Sequence, residues 1–151
     1  MPELPSATLL AFDFGQRRIG VAVGQTVTHS ARPLTTLVSS DNGPDWETIE
    51  QLIDDWGPNV LLVGLPLSAD GSESDQCRAA RQFAADLGDY EIPVQLIDEH
   101  LTSAEATDLL REARRRGNRQ QRVRKGDIDA LSAALIAEQW LNQRNLGHPS
   151  V

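Results

Sequence analysis

Residues 9–24 constrain this chain more than any other stretch. They read Leu-Leu-Ala-Phe-Asp-Phe-Gly-Gln-Arg-Arg-Ile-Gly-Val-Ala-Val-Gly. Two apolar runs, 9–12 and 19–23, flank a polar tip of Gly15, Gln16, Arg17 and Arg18. That pattern belongs to paired strands joined by a tight turn. Asp13 closes the first run. Aspartate is a poor strand former and is costly to bury unpaired. Two explanations compete at this point: Asp13 bonds the amides of the turn, or a rigid strand holds it over a reactive site.

The alternation of the remaining segments points to an α/β sheet. Residues 31–38 form a third strand candidate, with Pro33 near its beginning, where a missing amide is tolerated. A helix is expected over 45–56, because Trp46, Ile49, Leu52, Ile53 and Trp56 recur at helical spacing and Gly57-Pro58 stops it. The continuous apolar run 60–67 suits a strand buried on both faces. A loop with an Asp70-Gly71 turn follows. The next helix is expected over 74–87, with Cys77, Ala80, Phe83, Ala84 and Leu87 inward and Gly88 as its C-cap. Residues 94–97 form a short strand running into Asp98-Glu99-His100. Thr102-Ser103-Ala104-Glu105 is a capping box that should open a helix over 103–115. A last helix is expected over 127–143, with Asp127 as its N-cap and Leu131, Ala134 and Leu135 available to the core. An opening antiparallel hairpin followed by strands alternating with crossover helices gives a mixed sheet. That is the order of a ribonuclease-H-like fold, expected as a single domain over residues 1–151.

Composition narrows the setting. No apolar run approaches the ~20 residues needed to span a bilayer. Met-Pro-Glu-Leu-Pro-Ser has neither the basic nor the apolar region of a secretory leader. A cytoplasmic location, with no membrane partner, is expected. The single cysteine excludes an intrachain disulfide and any zinc site built on paired cysteines. The formal net charge of −8 hides a division: residues 111–125 carry eight of the 14 basic residues against one acid, Glu112. That block is +7 and the remainder −15. Arg115, Arg116, Arg119, Arg122 and Lys125, with Arg17 and Arg18 at the hairpin tip, are the candidate contacts to nucleic-acid phosphates. The alternative is a solvated basic loop.

Three acids fall where rigid backbone can hold them together. Asp13 ends the first strand, Glu99 follows the strand at 94–97, and Asp129 lies in the first turns of the last helix. Ligands of open α/β sheets bind at strand ends. Clustered carboxylates repel one another unless a cation lies between them, and their hard oxygens suit Mg²⁺ or Mn²⁺. Such ions support phosphodiester cleavage. Asp98 adjoins Glu99 on the opposite side of the chain. Asp127 and Asp129 stand about 200° apart around a helix and share no face. His100 is a general-base candidate or a turn residue. His29 and His148 carry no signal.

Four motifs in order make the chain similar to the YqgF family of pre-16S rRNA nucleases and Holliday-junction-resolvase-like proteins. They are Phe12-Asp13-Phe14-Gly15 through Arg18-Ile19-Gly20-Val21-Ala22; Val63-Gly64-Leu65-Pro66-Leu67 with Asp70-Gly71; Asp98-Glu99-His100-Leu101-Thr102 with Glu105-Ala106; and Lys125-Gly126 with Asp129. The resemblance covers about residues 9–141. It implies a metal-dependent nuclease site on Asp13, Glu99 and Asp129, acting on structured RNA and in particular precursor 16S rRNA. It also implies a departure at His100, where the family usually has arginine. A DNA junction resolvase, as monomer or homodimer, would use the same residues. A non-catalytic RNA-binding assembly factor is the alternative outside enzymes. Asp13-Phe14-Gly15 also resembles the phosphate loop of actin-like ATPases and sugar kinases, but this length leaves no room for their second lobe.

Overall fold

The structure, a computed structural model, describes residues 7–65, 75–98 and 125–146, with side chains of 128–143 in the last of these. Five strands form one sheet in the order β3-β2-β1-β4-β5. They are β1 (Thr8–Phe14), β2 (Arg18–Gln25), β3 (Ser30–Val38), β4 (Val60–Leu65) and β5 (Val94–Asp98). Both β1–β2 and β2–β3 are antiparallel, while β4 is parallel to β1 and to β5. The mixed sheet expected from the segment order is therefore present. Among the described residues three helices flank it: α1 (Trp46–Trp56), α2 (Asp75–Leu87) and α3 (Lys125–Leu146).

Period-2 alternation divides the sheet into two faces. Leu10, Phe12, Ile19, Val21, Leu61 and Val63 pack with Ile49 of α1 and with Cys77, Ala80, Phe83, Ala84 and Leu87 of α2. Leu9, Ala11, Ala22, Val60, Leu62 and Ile97 pack with Ala133, Ala134, Ile136, Ala137, Trp140 and Leu141 of α3. Every residue of β4 is buried, as its unbroken apolar run requires. Phe83 anchors the first face, with ring centroids 5.5 Å from Phe12, 5.0 Å from Phe14 and 5.4 Å from Trp46. Cys77 is fully buried, in keeping with a packing role.

Local chemistry explains the element ends. Asp45 caps α1 by accepting from the Thr48 amide at 3.2 Å, and Gly57 closes the helix by donating to the Ile53 carbonyl. Pro33 lies on the edge strand β3 at a register shift opposite Val21 and Ala22, where the ladder has no need of its amide. Two expected ends differ. Gly88 does not cap α2. The chain tightens there into a 3₁₀ turn, Gly88–Tyr90, and the left-handed residue is Glu91, with φ 63°. Asp127 does not cap α3 either, because the helix begins at Lys125 and Asp127 lies within its first turn. The expected loop at 68–73, the helix at 103–115 and most of the basic block lie outside the described residues.

Candidate active site on the α3 face

Alternation along β1 puts Asp13 on the same face as Leu9 and Ala11, turned toward α3. Phe12 and Phe14 take the other face and meet Phe83. The hairpin register pairs Asp13 with Gly20 and Phe14 with Ile19. Gly15 sets this tight turn, since a Cβ there would stand 2.7 Å from the Arg18 carbonyl oxygen. On β2 the residues of matching parity are Arg18, Gly20, Ala22 and Gly24. The small residues Gly20, Ala22 and Gly24 let α3 approach the sheet, and the Asp129–Ala130 peptide lies directly over Gly20. Directly opposing residues of an antiparallel pair share a face about 5 Å apart. Asp13 thus stands beside the glycine on which the backbone of Asp129 rests.

Arg18 completes the group. Its Nε donates to Asp129 Oδ2 at 2.8 Å, joining residues 111 positions apart in sequence, with side chains 36% and 26% exposed. Arg18 was expected to contact nucleic-acid phosphates; in this structure its guanidinium lies against a carboxylate of the candidate site. Arg17, at the hairpin tip, is exposed, and its carbonyl accepts from the Ser39 amide.

The far edge of this face is β5. Gln95 Oε1 accepts from Trp140 Nε1 at 2.9 Å, and Ile97 joins the α3 cluster. Asp98 has the opposite parity and is exposed; its backbone carbonyl accepts from Gln139 Nε2. Asp98 therefore points away from the face that carries Asp13. Glu99, His100, Arg115, Arg116, Arg119 and Arg122 lie outside the described residues, as does the side chain of Lys125. Among the described residues no group of three His, Cys, Asp or Glu side chains stands together to hold a metal ion. Asp13 on β1 and Asp129 on α3 both belong to this face.

Sequence reasoning missed Gly20 and the Arg18–Asp129 pair. The alternation Arg18-x-Gly20-x-Ala22-x-Gly24 carried the signal, because a strand face of small residues marks where a helix approaches closely.

A family model described as RuvX: Holliday junction resolvase matches residues 7–143. The chain belongs to the RuvX family. A RuvX relative from Saccharophagus degradans, carrying the name pre-16S rRNA nuclease, is 43% identical over 141 residues, 93% of this chain and 96% of the relative. One from Legionella pneumophila strain Lens, of the same name, is 45% identical over 141 residues, 93% of this chain and 99% of the relative. Among solved structures, T. thermophilus RuvC in complex with Holliday junction substrate has a TM-score of 0.55 at 17% identity, covering 91% of this chain and 96% of RuvC. The fowlpox virus resolvase bound to Holliday junction DNA has a TM-score of 0.57 at 7% identity, covering 90% and 97%. These likenesses give the RuvX chain a resolvase-type, ribonuclease-H-like fold. No helix among its described residues is long and apolar enough to cross a membrane.

Proposed function

We propose that this RuvX protein is a metal-dependent nuclease that hydrolyses phosphodiester bonds in structured RNA, with precursor 16S rRNA as substrate. The observation that carries the reading is that Asp13 on β1 pairs with Gly20, the residue on which the Asp129 backbone of α3 rests, in a chain whose relatives carry the name pre-16S rRNA nuclease. Two carboxylates there offer hard anionic oxygens, the donors that Mg²⁺ or Mn²⁺ takes. The donor set fits such a cation, and Asp129 already carries a positive group on one of its oxygens. Glu99 is the third ligand in this reading. Asp98, its neighbour, points away from the face that carries Asp13. A bound divalent cation supplies electrostatic stabilisation of the charge that develops on the phosphoryl oxygens.

The residues of the chain do the rest. Strand and helix fix the carboxylates before substrate arrives, so little reorganisation is needed at the reacting centre. The basic block, with Arg115, Arg116, Arg119, Arg122 and Lys125, draws in the phosphate backbone without reading sequence. Arg17 adds an exposed positive charge at the hairpin tip. The substrate implies a cytoplasmic setting.

Cleavage of precursor 16S rRNA and of a four-way DNA junction, side by side with Mn²⁺, tests this reading. Wild type should cut the RNA, and Asp13→Asn, folded by circular dichroism, should cut neither. A folded Asp13→Asn with wild-type turnover would remove Asp13 from the site. A junction resolvase is the second reading, favoured by the fold shared with junction-bound enzymes. Cutting of the junction alone would establish it. Binding of precursor rRNA with no cleavage of either substrate would leave an assembly factor.

A further inference from the structure

From the single contact between Arg18 and Asp129 we infer that Arg18 is a positioning residue which occupies Asp129 in the cation-free protein and is exchanged for the divalent ion. The inference rests on the reading of Asp13 and Asp129 as cation ligands. Three features make this contact exchangeable. It is monodentate: of the five N–H donors of Arg18, Nε alone is hydrogen bonded among the described residues. Bidentate pairs, which hold more firmly, use two parallel bonds. It is also solvent-reached, with side chains 36% and 26% exposed, so water screens the attraction and compensates its loss. Finally, it leaves Asp129 Oδ1 without a hydrogen bond among the described residues. The guanidinium thus engages one of the two carboxylate oxygens.

The fold directs Arg18 to this place. It opens β2 with the parity of Gly20, two residues from the glycine under Asp129, so strand alternation aims its side chain at the helix. A guanidinium on Asp129 offsets that carboxylate's charge when no ion is bound. The same positive charge opposes an arriving cation. The charge of Arg18 therefore weakens cation binding by more than its hold on Asp129 strengthens it, and removal of that charge should tighten the site. An arginine with only a structural role gives the opposite sign, because its loss frees Asp129 to turn away.

Titration with Mn²⁺ alone, followed by the electron paramagnetic resonance signal of the free ion, reads this directly without nucleic acid or turnover. Wild type should bind Mn²⁺ and Asp13→Asn should lose most of that binding. Arg18→Gln should bind about twofold to fivefold tighter than wild type, the factor expected from a half-exposed ion pair. Arg18→Lys keeps a positive charge as a hydrated point without the planar fork, and should fall between the two. If Arg18→Gln does not fold, Arg18→Lys carries the test, with binding tighter than wild type expected. Equal or weaker binding by the folded variant, with Asp13→Asn still deficient, overturns the role of Arg18 and leaves the carboxylate site standing. Wild type that binds no Mn²⁺, or Asp13→Asn that binds it equally, overturns the site and this inference together.

Discussion

The carbonyl oxygen of Asp129 lies 1.9 Å from the point where a Cβ on Gly20 would stand. Strand β2 and helix α3 therefore touch backbone to backbone at the candidate site. No side chain of either residue could give way, so even one methyl group must push the helix off the sheet.

Gly20→Ala should accordingly cost about 1–3 kcal/mol, the usual range for forced overpacking, and should lose activity beyond its loss of stability. Gly88→Ala is the matched control. Nothing lies within 4 Å of a Cβ there. That change should be neutral or stabilising by up to about 1 kcal/mol through the unfolded chain. Urea denaturation of both variants, with cleavage assayed well below the transition, separates the two effects. A Gly20→Ala protein as stable and active as wild type would mean that α3 can sit further out.

Cation binding should raise stability as well as activity. An ion that binds only the folded chain adds about 2.7 kcal/mol at 100 times its dissociation constant. For a chain of this size that is about 2–4 °C in Tm for each kcal/mol. Melts in chelator and in Mn²⁺ should show the rise in wild type and a smaller one in Asp13→Asn. In chelator the variant should be no less stable than wild type, since it removes a like charge from the face that carries Asp129. A variant destabilised in chelator and indifferent to Mn²⁺ would make Asp13 a turn residue.

Asp129→Asn should abolish cleavage while Asp127→Asn leaves it intact. The two positions stand about 200° apart around α3, and only Asp129 has a described contact with the β2 face. Asp127 lies within the helix rather than at its cap, so its substitution should also cost little stability. Inactivity of Asp127→Asn with activity of Asp129→Asn would reverse the assignment of the helix face.

The single tyrosine reports on the opposite side of the molecule. Burial, then the charge and hydrogen bond of Glu50 and the charge of Asp89, hold the Tyr90 phenol above its usual 10.0. The folded chain thus keeps a proton that the unfolded chain gives up sooner. This contribution to stability is complete below pH 10.0 and is lost as pH rises through the folded value. Ultraviolet titration of the phenol should show the raised value, and Glu50→Gln should bring it part of the way down. No change in Glu50→Gln would leave burial and the charge of Asp89 as the causes.

Phe83→Ala should be the costliest of these substitutions, at about 3–5 kcal/mol. Phe83 is the ring against which Phe12, Phe14 and Trp46 all pack. Urea denaturation measures the loss, and a cost below 1 kcal/mol would mean that the three rings close over the gap.

Much of this architecture was legible because local chemistry agreed with packing. The unbroken apolar run became buried β4, and the spacing from Trp46 to Trp56 became the core-facing side of α1. Asp13 stood out as an acid ending an apolar strand. The ends of α2 and α3 were less legible. Gly88 had the residue type of a cap, but the chain continued into a 3₁₀ turn and placed its left-handed residue at Glu91. Asp127 had the residue type of an N-cap, but α3 begins at Lys125. The Arg18–Asp129 pair depends on how closely a helix settles on a distant strand. Charge at a hairpin tip suggested phosphate contact; the small residues after Arg18 mark where a helix approaches, but not which helix residue, 111 positions away, would pair with it.

That separation has a consequence for biosynthesis. A chain growing from its amino end makes Asp13 and Arg18 more than a hundred residues before Asp129. Until α3 is made and docks, the sheet face of Leu9, Ala11, Ala22, Val60 and Leu62 has no cover, and the two halves of the candidate site have not met. In this order of synthesis the candidate site can form only after α3 has docked on that face.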